Sequence, residues 1–230
     1  MELILYWLSA AVLLGFAVWL SSLLARTGSM AAAFTLIVTL GLVYDNGVIA
    51  AGNLIGAGNL LEALNWPRYV IHAFATPLLA MVSFDLARRF GLRWASQSGW
   101  KIAFWAFTVL LIAYGVVFEL LPLSLVAENS DGIISYGPAG GASFPLPAVA
   151  TMVPLTVIGL ILWVKRGFAW LAVGSLLALV GFGVAPALDF TVLGQIAEVA
   201  LIGGISLSES HLANSSPFRR PAAARPLRAH

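Results

Sequence analysis

Asp45, His72, Glu119 and Glu198 are ionisable residues set inside stretches that are otherwise apolar, and they are the candidates for catalysis. His72 leads them, because an imidazole with an unperturbed pKa of about 6.5 both takes and gives a proton near neutral pH. A carboxylate from Asp45 or Glu119 would orient its ring. Two carboxylates crowded into one apolar site would hold a proton between them and supply an acid. Tyr44, Asn46, Asn53, Arg68, Thr76, Tyr114 and Gln195 surround these four in sequence and are candidate ligand-binding residues. The densest concentration runs from Tyr44 to Thr76, where Asp45, Asn46, Asn53, Asn59, Glu62, Arg68 and His72 interrupt an oily chain.

A plainer role stands beside the chemical one. Asp45 can pair with Arg68, His72 can donate to a backbone carbonyl, and Asn46 and Asn53 can bridge helices. Glu62 and Arg68 can reach water from an interface. Asp85 has Arg88 and Arg89 close by for an ion pair, and Glu209 and His211 read as a solvated helix terminus.

The elements that must position these groups follow from composition. Of 230 residues, 60% are hydrophobic and only 10% charged, against about 25% charged in an ordinary soluble domain. Seven apolar segments, at about 3–25, 29–50, 67–88, 101–122, 147–165, 168–187 and 189–209, each approach the ~20 residues that cross a ~30 Å hydrocarbon core. Their apolar character is continuous rather than alternating, which predicts helices and not a β-barrel. The fold class expected is all-α integral membrane, a seven-transmembrane helix bundle over residues 1–211 with a disordered basic cytoplasmic tail at 212–230. The opening run MELILYWL lacks a basic leader region and reads as a retained first helix. Residues 51–66 read as an interfacial or re-entrant connector, with Trp66-Pro67 entering the third span, and 123–146 as an irregular outer loop.

Charge orients the bundle. With seven spans, Arg26, the group Arg88, Arg89, Arg93 and Lys101, the pair Lys165 and Arg166, and the tail arginines Arg219, Arg220, Arg225 and Arg228 fall on one side. The positive-inside rule makes that side cytoplasmic and the N-terminus external. Asp45 then lies about 7 Å below the outer end of its helix, at 1.5 Å per residue, with His72 and Glu119 at a similar level. Glu198 lies deeper, roughly 13 Å from the start of the last span. A polar pocket open to the outer face is expected, floored by Gln195 and Glu198.

Several chemistries are excluded. Without cysteine there are no disulfides, thiolate nucleophiles or thiolate-held metals. His72 is the one histidine inside a span, so neither a metal centre nor bis-histidine haem is expected, and no cofactor is implied. The basic residues lie at helix ends without a basic-aromatic face, which argues against nucleic acid. The implied partners are membrane lipids and a hydrophobic small-molecule ligand; the oligomeric state is not encoded in any pattern here. The function expected is a membrane-embedded enzyme doing acid–base chemistry on a lipid-like or isoprenoid-like amphiphile. The alternatives are a non-catalytic pigment- or lipid-binding or assembly subunit, and a small proton-coupled transporter. A bacterial inner membrane is the expected location.

Overall fold

A computed structural model describes residues 2–130, 132–141, 145–188 and 191–215. Among these residues, eight α-helices carry the fold: α1 (Glu2–Thr27), α2 (Met30–Ile55), α3 (Asn59–Ala75), α4 (Leu78–Arg89), α5 (Ser98–Tyr114), α6 (Leu146–Arg166), α7 (Trp170–Leu188) and α8 (Thr191–Ser215). Their ends are marked in the sequence. Gly28 turns the chain at φ 61°. Ser29 then caps α2, its hydroxyl accepting from the Ala32 amide. Gly167 stops α6 in a left-handed conformation.

Thr76 and Pro77 stay in the right-handed helical region between α3 and α4. The two therefore make one broken rod, Asn59–Arg89, of 31 residues. Among the described residues, this rod, α1, α2, α6 and the stretch Ser98–Leu120 are the five helices long and apolar enough to cross a membrane. An apolar stretch of α7, Trp170–Gly183, is shorter.

Two expectations are corrected. No interfacial connector occupies 51–66. Ala51 to Ile55 complete α2, Asn59 to Trp66 begin α3, and the join is Gly56–Gly58, with Gly56 at φ 78° and Gly58 at φ 155°. Pro67 is interior to α3 rather than at its entry. Leu61 explains the extra turns. It is fully buried against Val48 and Tyr136, so this segment has a tertiary partner that an isolated connector would lack.

That partner is the second correction. The expected irregular loop contains an antiparallel hairpin, β1 (Leu125–Ser130) and β2 (Ile133–Pro138). Val126, Ile133, Ile134 and Tyr136 favour extended backbone, and Gly132 at φ 79° suits the turn. Asn53 fastens the hairpin to α2: its amide donates to the Gly132 carbonyl at 2.7 Å, and its carbonyl accepts from the Ile134 amide at 2.8 Å. The Ile134 carbonyl lies so close to Gly52 that no side chain fits there.

α1 packs between α2 and α8, α7 between α6 and α8, and α4 against α2 and α6. α5 lies outside, mainly on α4. Small residues let α6, α7 and α8 approach closely. Gly159 lies against the Leu171–Ala172 backbone, Gly174 against the Ala200 carbonyl and Gly204, and Gly204 against the Trp170 carbonyl. Such contacts drive helix association where the solvent is itself apolar. Gly174→Val is expected to lose about 1–3 kcal/mol through overpacking. Gly15→Val, which meets open space, should lose well under half of that in the same thermal-unfolding measurement. Ile4, Val18, Leu54, Ile102, Leu110 and Val164 are each more than two-thirds exposed, a surface compatible with lipid. The expected tail at 216–230 lies outside the described residues, whereas residues 212–215 continue α8.

Candidate functional site

The site is built from adjacent residues of α2. Asp45 and Asn46 are both buried, and each holds a different neighbour. Asp45 Oδ1 accepts from Arg68 Nε of α3 at 2.6 Å. Arg68 Nη1 also donates to Asn65 Oδ1 at 2.5 Å, and the Asn65 amide is spent on the Leu61 carbonyl one turn earlier. This Asp–Arg–Asn chain clamps α2 to α3. Charge-assisted bonds of this length are the strong kind, and they leave neither ion unpaired in an apolar interior.

Asn46 reaches the other way. Its amide donates to Glu198 Oε2 of α8 at 2.9 Å and to the Leu42 carbonyl at 3.0 Å. Gln195, one turn before Glu198, is buried, and its carbonyl oxygen has no partner among the described residues. An unsatisfied buried acceptor is costly in a native interior.

His72 differs from its neighbours. Its side chain is 44% accessible, whereas Arg68 and Asp45 are at 13% and 11%. Nε2 stands 3.7 Å from Asp45 Oδ1, within ion-pair range but too long for a hydrogen bond. Nδ1 is 3.5 Å from Thr76 Oγ1, at the outer limit of contact. Neither ring nitrogen makes a short hydrogen bond, and the ring stands beside a carboxylate that Arg68 already holds.

Of the residues singled out from sequence, Asp45, Asn46, Arg68, His72, Thr76 and Glu198 gather here, with Gln195 alongside. Four others lie elsewhere. Glu119 makes no hydrogen bond to Asp45 or His72. It sits on a π-helical turn, Gly115–Leu120, that ends the α5 rod, and lines a separate groove with Tyr69, Pro122, Ser124 and Pro138. No hydrogen bond or ion pair joins Glu119 to Asp45 or His72, which leaves Asp45 and His72 as the close pair of the three. Tyr114 packs on Phe118 with ring centroids 4.8 Å apart. The Tyr44 hydroxyl donates to the Leu64 carbonyl at 2.8 Å, and Asn53 serves the hairpin. Asn65 went unread in the sequence, although its spacing three residues before Arg68 puts both on one helix face. Among the described residues no three His, Asp or Glu side chains gather as metal ligands.

A second polar cluster lies at the far end of the bundle, where Glu209 was expected to be solvated. It is instead fully buried. Its carboxylate accepts from Arg89 Nη1 of α4 at 2.5 Å and from the Ser29 hydroxyl at 2.9 Å. Asp85, 1% exposed, accepts from Arg88 at 2.8 Å and from the Ala31 amide at the N-terminus of α2 at 3.2 Å. The expected pairing of Asp85 with Arg88 and Arg89 is present, with Arg89 shared between two carboxylates. The correction for Glu209 has a simple cause. α8 runs on to Ser215, so Glu209 lies inside the helix rather than at its end. His211 stays exposed, as expected, while one face of its ring stacks on Phe90 and lies tilted against Phe168.

No protein family model matches the chain, and no curated protein or solved structure does either.

Proposed function

We propose that the chain is a seven-span membrane protein with its N-terminus external, and that its site performs acid–base chemistry on a lipid-like or isoprenoid-like amphiphile. Counting the broken α3–α4 rod as one span gives seven rods. The basic residues Arg26, Arg88, Arg93, Lys101 and Lys165 lie at or near the rod ends away from the hairpin, in keeping with the positive-inside pattern.

The observation that carries the chemical reading is His72. An accessible imidazole with neither nitrogen firmly engaged, beside an ion-paired carboxylate, has the arrangement of a general base. In this reading His72 takes a proton from the substrate, and Asp45, held by Arg68, stabilises the imidazolium that results. Glu198 in its acid form returns a proton at a second position, held in place by Asn46. The free carbonyl of Gln195 accepts a hydrogen bond from a substrate hydroxyl. One proton leaves the substrate and one arrives, as in moving a double bond. Passage of a proton from His72 back to Glu198 resets the site, with no oxidant or reductant required.

The test compares lipid extracts, by mass spectrometry, of membranes carrying wild-type protein, His72→Ala or Glu198→Gln at matched abundance. The expected result is one amphiphile that accumulates in both variants and is converted by the purified wild type. Identical extracts from three equally abundant proteins would overturn the proposal.

A further inference from the structure

We propose that the basic end of the bundle holds one anionic glycerophospholipid, with its phosphate on Arg93, Lys165 and Arg166 and one acyl chain in the aromatic furrow between α5 and α6. This site is separate from the His72 cluster and does not depend on the function proposed for it. It rests only on placing the chain in a membrane.

Two hollows meet at this end. One, of about 510 Å³, is apolar and runs between Trp100, Phe104 and Phe107 of α5 and Val153, Pro154 and Val157 of α6. The other, of about 650 Å³, is lined by Arg93, Lys165 and Arg166 together with the turn at Gly91 and Leu92. Trp94 lines both, so the apolar furrow and the cationic hollow adjoin across one shared wall.

The furrow exists because α5 packs on α4 and barely meets α6. From Val153 to Ile161 its α6 wall extends about 12 Å, and from Val153 to Arg166 about 20 Å. One leaflet of a ~30 Å core is about 15 Å deep, so the furrow stays within a single leaflet and the cations reach its headgroup level. Trp94 and Trp100 stand at that level, with ring centroids 5.2 Å apart.

The cations come from two separate elements. Arg93 lies in the short 3-10 turn Arg93–Ser96 after α4, and Lys165 and Arg166 end α6. Among the described residues none of the three pairs with a carboxylate. Arg166 is held over the hollow by donating to the Gly91 carbonyl at 3.3 Å. Lone lysines and arginines at a membrane boundary each extend separately towards water. Here three converge on one hollow that adjoins an apolar furrow, the combination by which basic pockets between helices take acidic headgroups.

Native mass spectrometry in a neutral detergent tests this, titrating the full chain with phosphatidylglycerol or with phosphatidylcholine of the same acyl chains. Wild type is expected to retain one phosphatidylglycerol at least about tenfold more tightly than phosphatidylcholine. The triple variant Arg93→Ala, Lys165→Ala, Arg166→Ala should lose that preference. A variant losing the same charge from the tail (Arg219→Ala, Arg220→Ala, Arg225→Ala) should keep it. Val157→Trp, which fills the furrow and leaves every cation in place, should also weaken retention. Equal retention of both lipids, equal loss in the tail variant, unchanged retention in Val157→Trp, or displacement by glycerol phosphate at lipid-like concentration would each overturn the proposal. The last would mark a site for free phosphate alone.

Discussion

Arg89→Met is expected to cost about 3–5 kcal/mol of stability, the range for removing one partner of a buried ion pair. Glu209 has no exposed surface, and its carboxylate rests on Arg89 and the Ser29 hydroxyl. Without Arg89, one hydroxyl is left to stabilise a charge in an apolar interior. Asp85 suffers less, since Arg88 and the Ala31 amide remain bonded to it. The double variant Arg89→Met, Glu209→Leu removes the stranded charge together with its partner and is expected to recover most of the loss, because apolar replacement of a whole buried pair is often close to neutral. Denaturant unfolding in detergent measures both. A single-variant loss below about 0.5 kcal/mol, the size of an ordinary surface change, would show that Glu209 is hydrated. A double variant no better than the single would show that the cost lies in packing rather than charge.

At the other end, Arg68→Met is expected to be comparably damaging, by about 3–5 kcal/mol, while His72→Gln should stay within about 0.5 kcal/mol of wild type. Arg68 supplies the bonds that hold Asp45 and Asn65 across α2 and α3. His72 approaches the same carboxylate at 3.7 Å with nearly half of its side chain accessible. The difference separates a clamp from a group kept free for a ligand. Thermal unfolding of the two variants in parallel reads it. If His72→Gln were as destabilising as Arg68→Met, the histidine would belong to the clamp and acid–base chemistry at this site would lose its support.

The cluster at Asp45 shows how far local reading reaches. Helical spacing places Arg68, His72, Thr76 and Ser83 on one face of the third rod; Arg68 and His72 approach Asp45 and Thr76 lies by His72, whereas Ser83, beyond Pro77, bonds to the Ala80 carbonyl. Choosing among Arg68, His72 and Glu119 as the partner of Asp45 needed the rotation of each helix about its axis. Neighbouring helices set that rotation: Ala73 against Gly115, and Ile71 against Gly41. The pairing of Asn46 with Glu198 is separated by 152 residues and has no local signature at all.

What the amino-acid sequence determined by itself was the set of long apolar rods and the small number of ionisable residues embedded in them. Hydropathy and helical period are properties of single segments, and they survive without knowledge of what each segment touches. Only the tertiary structure decided which ions are tightly paired and which are left accessible. It buried Glu209 on Arg89, gave Asp45 to Arg68, set Glu119 in the groove beside the hairpin and left His72 accessible. The physical reason is that an ion in an apolar interior takes its character from the group opposite it, and that group comes from another helix.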